Sequence, residues 1–518
     1  MTDLKKIAVV MSEKDNIAIA KKNIKKGTTL KYLSDTIKNS GFIPQGHRFA
    51  LKDIKTGEGV RQYGYIFGIS KGIKKGQLLG RENIREYTVN YKKVTGKIFA
   101  NKIKFHGNLP KKNISDKTFL GYKRSDGRIG TRNFFAIVPT SLCASDVATK
   151  IANSLDNDKS LKKKYRNIDG FVAAAHTEGC GCNDGDIIDR LLLTLRNTVT
   201  HPNVGGALIV DLGCEKTNRK MMQKYLGNLK KYKKPVDFIS IQDSGGTKKT
   251  IKKSKDLILK RLKKVNTIKR KKVPIKHLIV GTECGASDSF SGITANPLIG
   301  KTVDMIINCG GAAILSEIPE MIGAEINLIK RIRTKEVATK FISGLNYYKK
   351  LADKLNVSLE GNFVYGNEKG GLVNLTLKSL GAILKGGSSE IVDFVNYAER
   401  IKKHGLSIMN GPGNDLESMT GIVASGANLI LFSTGMGATE GNLIVPVIKI
   451  SSRSELYKKM IDDIDFDAGR LLDDNVSFDV LSNELLDTVV GVASGKKTKA
   501  ELLKKRSFQI WSAGKLSL

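Results

Sequence analysis

Two hydrophobic periods divide the chain. Up to about residue 95, short apolar stretches at 17–20, 49–54, 57–60, 65–70 and 72–79 are separated by glycine turns. Alternation between such turns predicts a small β-rich domain over residues 1–95. Residues 96–118 are basic, polar and weakly periodic, which fits a linker. From Phe119 the character changes. Apolar runs at 134–139, 170–175, 207–211, 238–242 and 278–281 alternate with helical-period stretches such as 145–155 and 186–198. Strand–helix alternation predicts an α/β architecture with mostly parallel sheets. A basic stretch at 248–276, with Pro274 near its end, separates a middle α/β domain (119–262) from a C-terminal one (270–515).

A length of 518 residues agrees with three domains and can bury a large core without disulfides. Hydrophobic residues at 40% and charged residues at 26% exclude a disordered chain. No apolar run reaches the ~18 residues of a membrane span. Lys5 and Lys6 precede only a brief apolar run, too short for a secretory signal, so a cytoplasmic protein is expected. The net charge of +37 suggests a polyanion partner at first sight, but it is built from 68 Lys against 19 Arg. Aromatics are only 6%, with a single Trp. Readers of nucleic acid rely on arginine forks and stacking rings, so the charge reads as a solvated lysine surface and no nucleic-acid partner is expected. Six cysteines are too sparse for a disulfide framework.

Their positions say more. Apolar strands end in a cysteine beside glycine and acidic residues three times, at Cys180 (172–184), Cys214 (208–215) and Cys284 (278–288). Ligands of open α/β sheets sit outside the carboxyl ends of the strands, so this pattern would bring three thiolates into one pocket. Two readings stand side by side: small cysteines packing at tight corners, or an iron, iron–sulfur or zinc site with a position left for substrate. Cys182 reads as packing. The glycine run at 434–441 is one residue too long for a dinucleotide loop and lacks its partner acid.

Arg124, Arg128 and Arg132 crowd into nine residues just before a predicted strand, around Gly130 and Asn133. Arginine suits bidentate capture of a carboxylate, which makes Arg128, Gly130, Arg132 and Asn133 candidates for substrate binding. An interdomain salt-bridge patch is the competing account.

These motifs resemble the altronate/galactarate dehydratase family. The resemblance runs through the opening at 121–133, His176-Thr177-Glu178-Gly179-Cys180-Gly181, Leu212-Gly213-Cys214-Glu215 and Gly281-Thr282-Glu283-Cys284-Gly285. It continues at Gly366-Asn367, 378–382, 385–389, 411–415, 424–428 and 465–469. The N-terminal unit, with Gly46-His47 and Asp53-Ile54, is similar to the SAF domain of that family. The fold this implies is a SAF-like β-rich domain followed by two α/β domains.

The resemblance implies loss of water from a sugar acid, giving a 2-keto-3-deoxy acid, with ferrous iron or an iron–sulfur cluster as cofactor. A base, an acid and a metal are needed. His47 and His176 are candidates for base and acid because histidine titrates near neutral pH, with structural hydrogen bonding as the alternative for each. Glu178 joins the catalytic candidates. Glu215 joins Cys180, Cys214 and Cys284 as a candidate metal ligand. The expected partners are a small anionic sugar acid and a second copy of the chain, with no membrane. One departure stands out: the SAF domain of the family tends to finish in His-x-His-Asn, and here the stretch reads Gly80-Arg81-Glu82-Asn83. Two alternatives remain, a sulfolactate sulfo-lyase type of β-elimination and a non-catalytic polyanion-binding protein.

Overall fold

The structure, a computed structural model, describes residues 2–87, 117–473 and 476–515. The linker expected at 96–118 lies outside the described residues except for its last two positions.

In the N-terminal unit the sequence Ile-x-x-Gly recurs at Ile24, Ile43, Ile54 and Ile73. All four isoleucines are buried, and they bridge in pairs, Ile24 with Ile43 and Ile54 with Ile73. Each glycine that follows turns the chain with a positive φ, where a side chain would be strained. Three small three-stranded sheets result, among them one built from Ala8–Val9, Ile17–Ala20 and Arg48–Ala50. The unit docks on the C-terminal domain through Arg48. Its Nε donates to Gln62 at 2.6 Å, and its Nη1 reaches Ser289 Oγ at 2.7 Å and the Gly371 carbonyl at 2.5 Å.

The middle domain is a four-stranded parallel sheet in the spatial order Gly170–Ala173, Phe134–Pro139, Val204–Asp211, Val236–Ser240. Phe135 and Ile137 face helices Leu142–Asp156 and Thr247–Asn266, while Phe134, Ala136 and Val138 face helix Asp186–Val199. Because both faces are covered, the strand reads as one unbroken apolar run. The second face continues into Met419, Phe432 and Val447, so the two α/β domains share a core. An antiparallel pair, Thr118–Lys123 with Lys271–Pro274, closes the domain at its chain ends.

The C-terminal domain is a seven-stranded, wholly parallel sheet. Its first strand, Ile279–Gly285, lies between Ala312–Leu315 and Leu429–Thr434. Succeeding strands are added first on one side of it and then on the other. The direction of winding therefore reverses beside Ile279–Gly285, and the carboxyl end of that strand is where such folds leave a crevice. No helix among the described residues is long and apolar enough to cross a membrane.

Candidate active site

The carboxyl ends of that central region deliver a buried cluster of charged side chains. Strand Ile279–Gly285 ends in Glu283 and Cys284. After Ala312–Leu315 the chain passes through Glu317, held in the left-handed region at φ 66°, into a short helical turn that carries Glu320. Non-glycine residues there cost roughly 1 kcal/mol or more, and such strain collects at functional sites. Helix Asp415–Ala424, capped by the Asn414 side chain, supplies Asp415 and Ser418. Helix Leu375–Ala382 supplies Lys378, and the turn Ile383–Gly386 supplies Lys385.

These groups touch. Lys385 Nζ stands 2.8 Å from Glu317 Oε2 and 3.1 Å from Cys284 Sγ. Cys284 Sγ lies 3.0 Å from Glu320 Oε2, and Lys378 Nζ pairs with Glu320 Oε1 at 2.8 Å. Glu283 accepts from Ser418 Oγ at 2.8 Å. Two sets of ligand atoms fall within 4.8 Å of one another, Cys284–Glu317–Glu320 and Glu283–Glu317–Asp415.

Four carboxyl groups and a thiol face two lysines, so the set does not balance if all ionise. Burial, reinforced by Glu317, pushes Glu283 well above the usual carboxyl range, and the same two causes raise Asp415. Burial and then Glu320 raise Glu317. Burial opposes ionisation of Glu320 too, but Lys378 and Lys385 overcome it and hold that carboxyl low. Glu283 Oε1 and Glu317 Oε1 are buried and meet no hydrogen-bond donor among the described residues. Two such oxygens side by side need a shared proton or a cation.

The structure scatters the residues singled out from sequence. Cys284 belongs to this cluster, whereas Cys180 and Cys214 stand at the carboxyl end of the middle sheet; the neighbour of Cys180 there is Cys143, not Cys284. Cys182 is buried among apolar side chains. Glu215 is spent on its own loop, accepting from Thr140 Oγ1 at 2.6 Å and from the amides of Leu212 and Gly213. Glu178 pairs with Lys515 at 3.1 Å. His47 is half-buried on the SAF unit with Nδ1 3.2 Å from the Gln45 carbonyl.

His176 does not fit an acid–base role. Its Nδ1 accepts from the Glu178 amide at 3.1 Å, which leaves the proton on Nε2, 3.0 Å from the Pro139 carbonyl. Both ring nitrogens are committed to backbone, and burial pushes the ring down to about 4, against the smaller opposing pull of the Pro139 hydrogen bond and Glu178. The folded state therefore binds fewer protons than the unfolded chain between about pH 4 and 6.5. Lys515 and Glu178 are the charged groups that face it. Stability relative to a His176→Gln variant should be complete above pH 6.5 and fall by about 3 kcal/mol on the way down to pH 4. Denaturant unfolding of both proteins across that range checks it, and a pH-independent difference contradicts it.

The arginine segment lies at the amino end of the middle sheet, ahead of Phe134 and away from the loops at the carboxyl ends. Arg132 is fully buried, paired with both oxygens of Glu501 at 2.6 and 2.7 Å and donating to the carbonyls of Thr131, Val492 and Lys496. Arg128 pairs with Asp126 and donates to the Thr200 carbonyl. Asn133 accepts from Arg124, and a Cβ at Gly130 would stand 2.3 Å from the Pro202 carbonyl oxygen. The substrate-clamp expectation is thus corrected: the donors of Arg132 are occupied, and the segment is the salt-bridged interdomain seam.

Glu283, Lys378, Lys385 and Asp415 lie inside the family-like segments, where nothing local gives them a role, and Glu317 and Glu320 lie outside those segments. The signal available was the strand-end position of Glu283.

Known proteins match along the whole chain. Residues 6–87 match the altronate/galactarate dehydratase SAF domain, 121–266 the second domain of D-galactarate dehydratase/altronate hydrolase, and 275–516 the C-terminal domain of D-galactarate/altronate dehydratase. The chain is similar to altronate dehydratase of Bacillus subtilis (strain 168), 32% identical over 513 residues, covering 98% of this chain and 99% of the relative. It is also 32% identical over 501 residues to altronate dehydratase of Escherichia coli (strain K12), covering 96% and 98%. Galactarate dehydratase (L-threo-forming) of Escherichia coli (strain K12) is 30% identical over 499 residues, covering 94% and 93%.

Proposed function

We propose, on the premise that the chain belongs to the altronate/galactarate dehydratase family and is a hydro-lyase, that the buried cluster at Glu283, Cys284, Glu317, Glu320, Lys378, Lys385 and Asp415 removes water from a sugar acid to give a 2-keto-3-deoxy acid. The observation that carries the assignment to this cluster is the unpartnered pair Glu283 Oε1 and Glu317 Oε1 beside Lys385. Membership of a hydro-lyase family displaces the non-catalytic, polyanion-binding alternative.

The residues suit a divalent cation, Fe(2+) being the one the family resemblance implies. Glu283, Glu317 and Asp415 present oxygen donors at ligand spacing, two of them without a donor of their own. Gly285 leaves room for the third, since a Cβ there would stand 2.2 Å from Asp415 Oδ2. A cation held by these groups would neutralise the charge that builds on a substrate carboxylate as its neighbouring carbon loses a proton.

The chain's own groups do the rest. Glu320, kept ionised by two lysines, takes the proton from the carbon beside the carboxylate. Lys385, a cation buried away from water, gives a proton to the departing hydroxyl, so that water leaves and the resulting enol becomes the keto acid. Lys378 holds Glu320 in place at 2.8 Å.

The test is keto-acid formation over a panel of aldonates, aldarates and sulfolactate, before and after chelation and re-addition of Fe(2+). Chelation and the variant Glu283→Gln should each lower turnover of an aldonate or aldarate by at least about tenfold. Full activity in Glu283→Gln overturns the cation assignment, and sulfite release from sulfolactate without keto-acid formation from the sugar acids overturns the substrate class.

A further inference from the structure

A cavity of about 280 Å³ lies at the amino end of the middle sheet. Gly205 of strand Val204–Asp211 lines it, Pro235 lines it just ahead of strand Val236–Ser240, and helix Thr247–Asn266 ends beside it. Five cations surround it, Lys123, Arg124, Lys233, Lys234 and Lys264, and no acidic residue does. The two carboxylates that act on Arg124 are committed elsewhere, Asp126 to Arg128 at 2.6 Å and Asp169 to Lys497 at 3.1 Å. A solvated lysine surface spreads its charges and so limits their repulsion, whereas these converge on one hollow with an arginine inside it.

Arg124 is only 6% exposed. Its Nε donates to the Pro202 carbonyl at 2.6 Å, and its Nη2 donates to the Arg132 carbonyl at 3.2 Å and to Asn133 Oδ1 at 3.0 Å. Nη1 is buried and meets no acceptor among the described residues. A buried guanidinium nitrogen is costly unless a ligand supplies the missing acceptor. Gly205 makes the pose possible, since a Cβ there would stand 2.2 Å from the Asn133 oxygen that Arg124 uses. Lys234 Nζ donates to the carbonyls of His201 and Val204 at 2.9 and 2.6 Å, which hold it but bring no full negative charge. Burial lowers Arg124 to about 10, and burial followed by Arg124 and Arg128 pushes Lys234 well below the usual lysine range. A bound anion would reverse both. Lys233 occupies the left-handed region at φ 48°, where glycine costs less, so a side chain is kept there against the backbone's preference. The dipole of helix Thr247–Asn266 accounts for Lys264 at its last turn, but not for Arg124 or Lys233.

We infer that this cavity binds a small organic phosphate, with the phosphate on Arg124 Nη1 and the exposed lysines 123, 233 and 264, and the carbon skeleton on Pro235, Val265 and Ile268. A guanidinium with a donor to spare takes one phosphate oxygen, and lysines add the point charges that a dianion needs. A monocarboxylate carries a single charge and leaves most of these cations unanswered. Inorganic phosphate answers the charge but leaves the apolar wall without a partner. The cavity shares no lining residue with the carboxylate cluster, so the inference stands whether or not that cluster is the seat of dehydration.

The test is isothermal titration of the full-length chain with phenyl phosphate, inorganic phosphate and benzoate, at about 0.15 M salt to screen the general lysine surface. Phenyl phosphate should bind once per chain, and about tenfold or more tightly than either of the other two. Arg124→Gln should remove the binding. Lys233→Gly, which also relieves the left-handed backbone, and Lys264→Gln should each weaken it by about fivefold or more. Lys252→Gln takes the same charge from the same helix about 18 Å from Lys264 and should leave binding unchanged. Lys233 and Lys264 are exposed, so the result does not depend on Arg124→Gln folding. Absence of saturable binding by the wild type, or equal weakening in Lys252→Gln and Lys264→Gln, overturns the site. Benzoate binding as tightly as phenyl phosphate overturns the phosphate assignment.

Discussion

Replacing Lys385 by methionine is expected to lower kcat for keto-acid formation by about 10²- to 10⁴-fold, the range for losing one positioned proton-transfer group. The ammonium is almost fully buried, 2.8 Å from Glu317 and 3.1 Å from Cys284, so water does not readily replace it. Methionine keeps the unbranched stem and its packing but has no proton to donate. Its effect on stability should be smaller than its effect on rate. Glu317 already sits above the usual carboxyl range through burial and the neighbouring Glu320, and it answers the loss of the cation by holding its proton. Glu320→Gln, which keeps the volume and removes the base, should give a comparable fall. Keto-acid assays on both variants, with thermal unfolding as the control, check the assignment. Unchanged kcat with a lowered Tm in both would make the cluster a structural network.

Arg132→Ala is expected to cost about 3–5 kcal/mol of stability while the folded fraction keeps near-normal kcat/KM. Removing the side chain leaves the Glu501 carboxylate without its bidentate partner and takes one donor each from the carbonyls of Thr131, Val492 and Lys496, of which Thr131 keeps Arg270 and Val492 keeps the Gly495 amide. Burial works against the Arg132 charge, but Glu501 more than compensates and holds its pKa above the ordinary value. Arg132→Lys should lose much of the same stability, because a point charge cannot serve both oxygens of Glu501 and the carbonyls together. Guanidinium unfolding midpoints and kcat/KM at 25 °C separate the two accounts. Lost kcat/KM with unchanged stability would return Arg132 to the substrate.

The α/β class was legible because the middle and C-terminal strands are covered on both faces and so read as plain apolar runs, as at Phe134–Pro139. The small β-rich unit was legible from its glycine turns, and its likeness to a SAF domain from motifs such as Gly46-His47 and Asp53-Ile54. The candidate site was legible only in part. Glu283 and Cys284 advertise themselves at the end of a strand, but Glu317 and Glu320 sit in a short turn with no periodicity of its own. His176 misleads for a different reason: the ordinary pKa of histidine makes it a natural candidate, and its burial between two backbone groups removes that property.

By itself the sequence determined the layers of each domain, the motifs that carry the family and the strand ends at which chemistry gathers. Those are local properties, set by the periods of side chains along the chain and by turns that only glycine makes easily. Which polar residues meet was decided by the tertiary structure alone. Winding that reverses beside Ile279–Gly285 brings Glu283, Glu317, Asp415 and Lys385 together from segments up to 132 residues apart. The same packing sets Arg132 against Glu501 at 2.6 Å, so that its guanidinium is satisfied within the fold. Charge, burial and hydrogen-bond supply are properties of the assembled neighbourhood, and a residue's chemistry is fixed only when that neighbourhood forms.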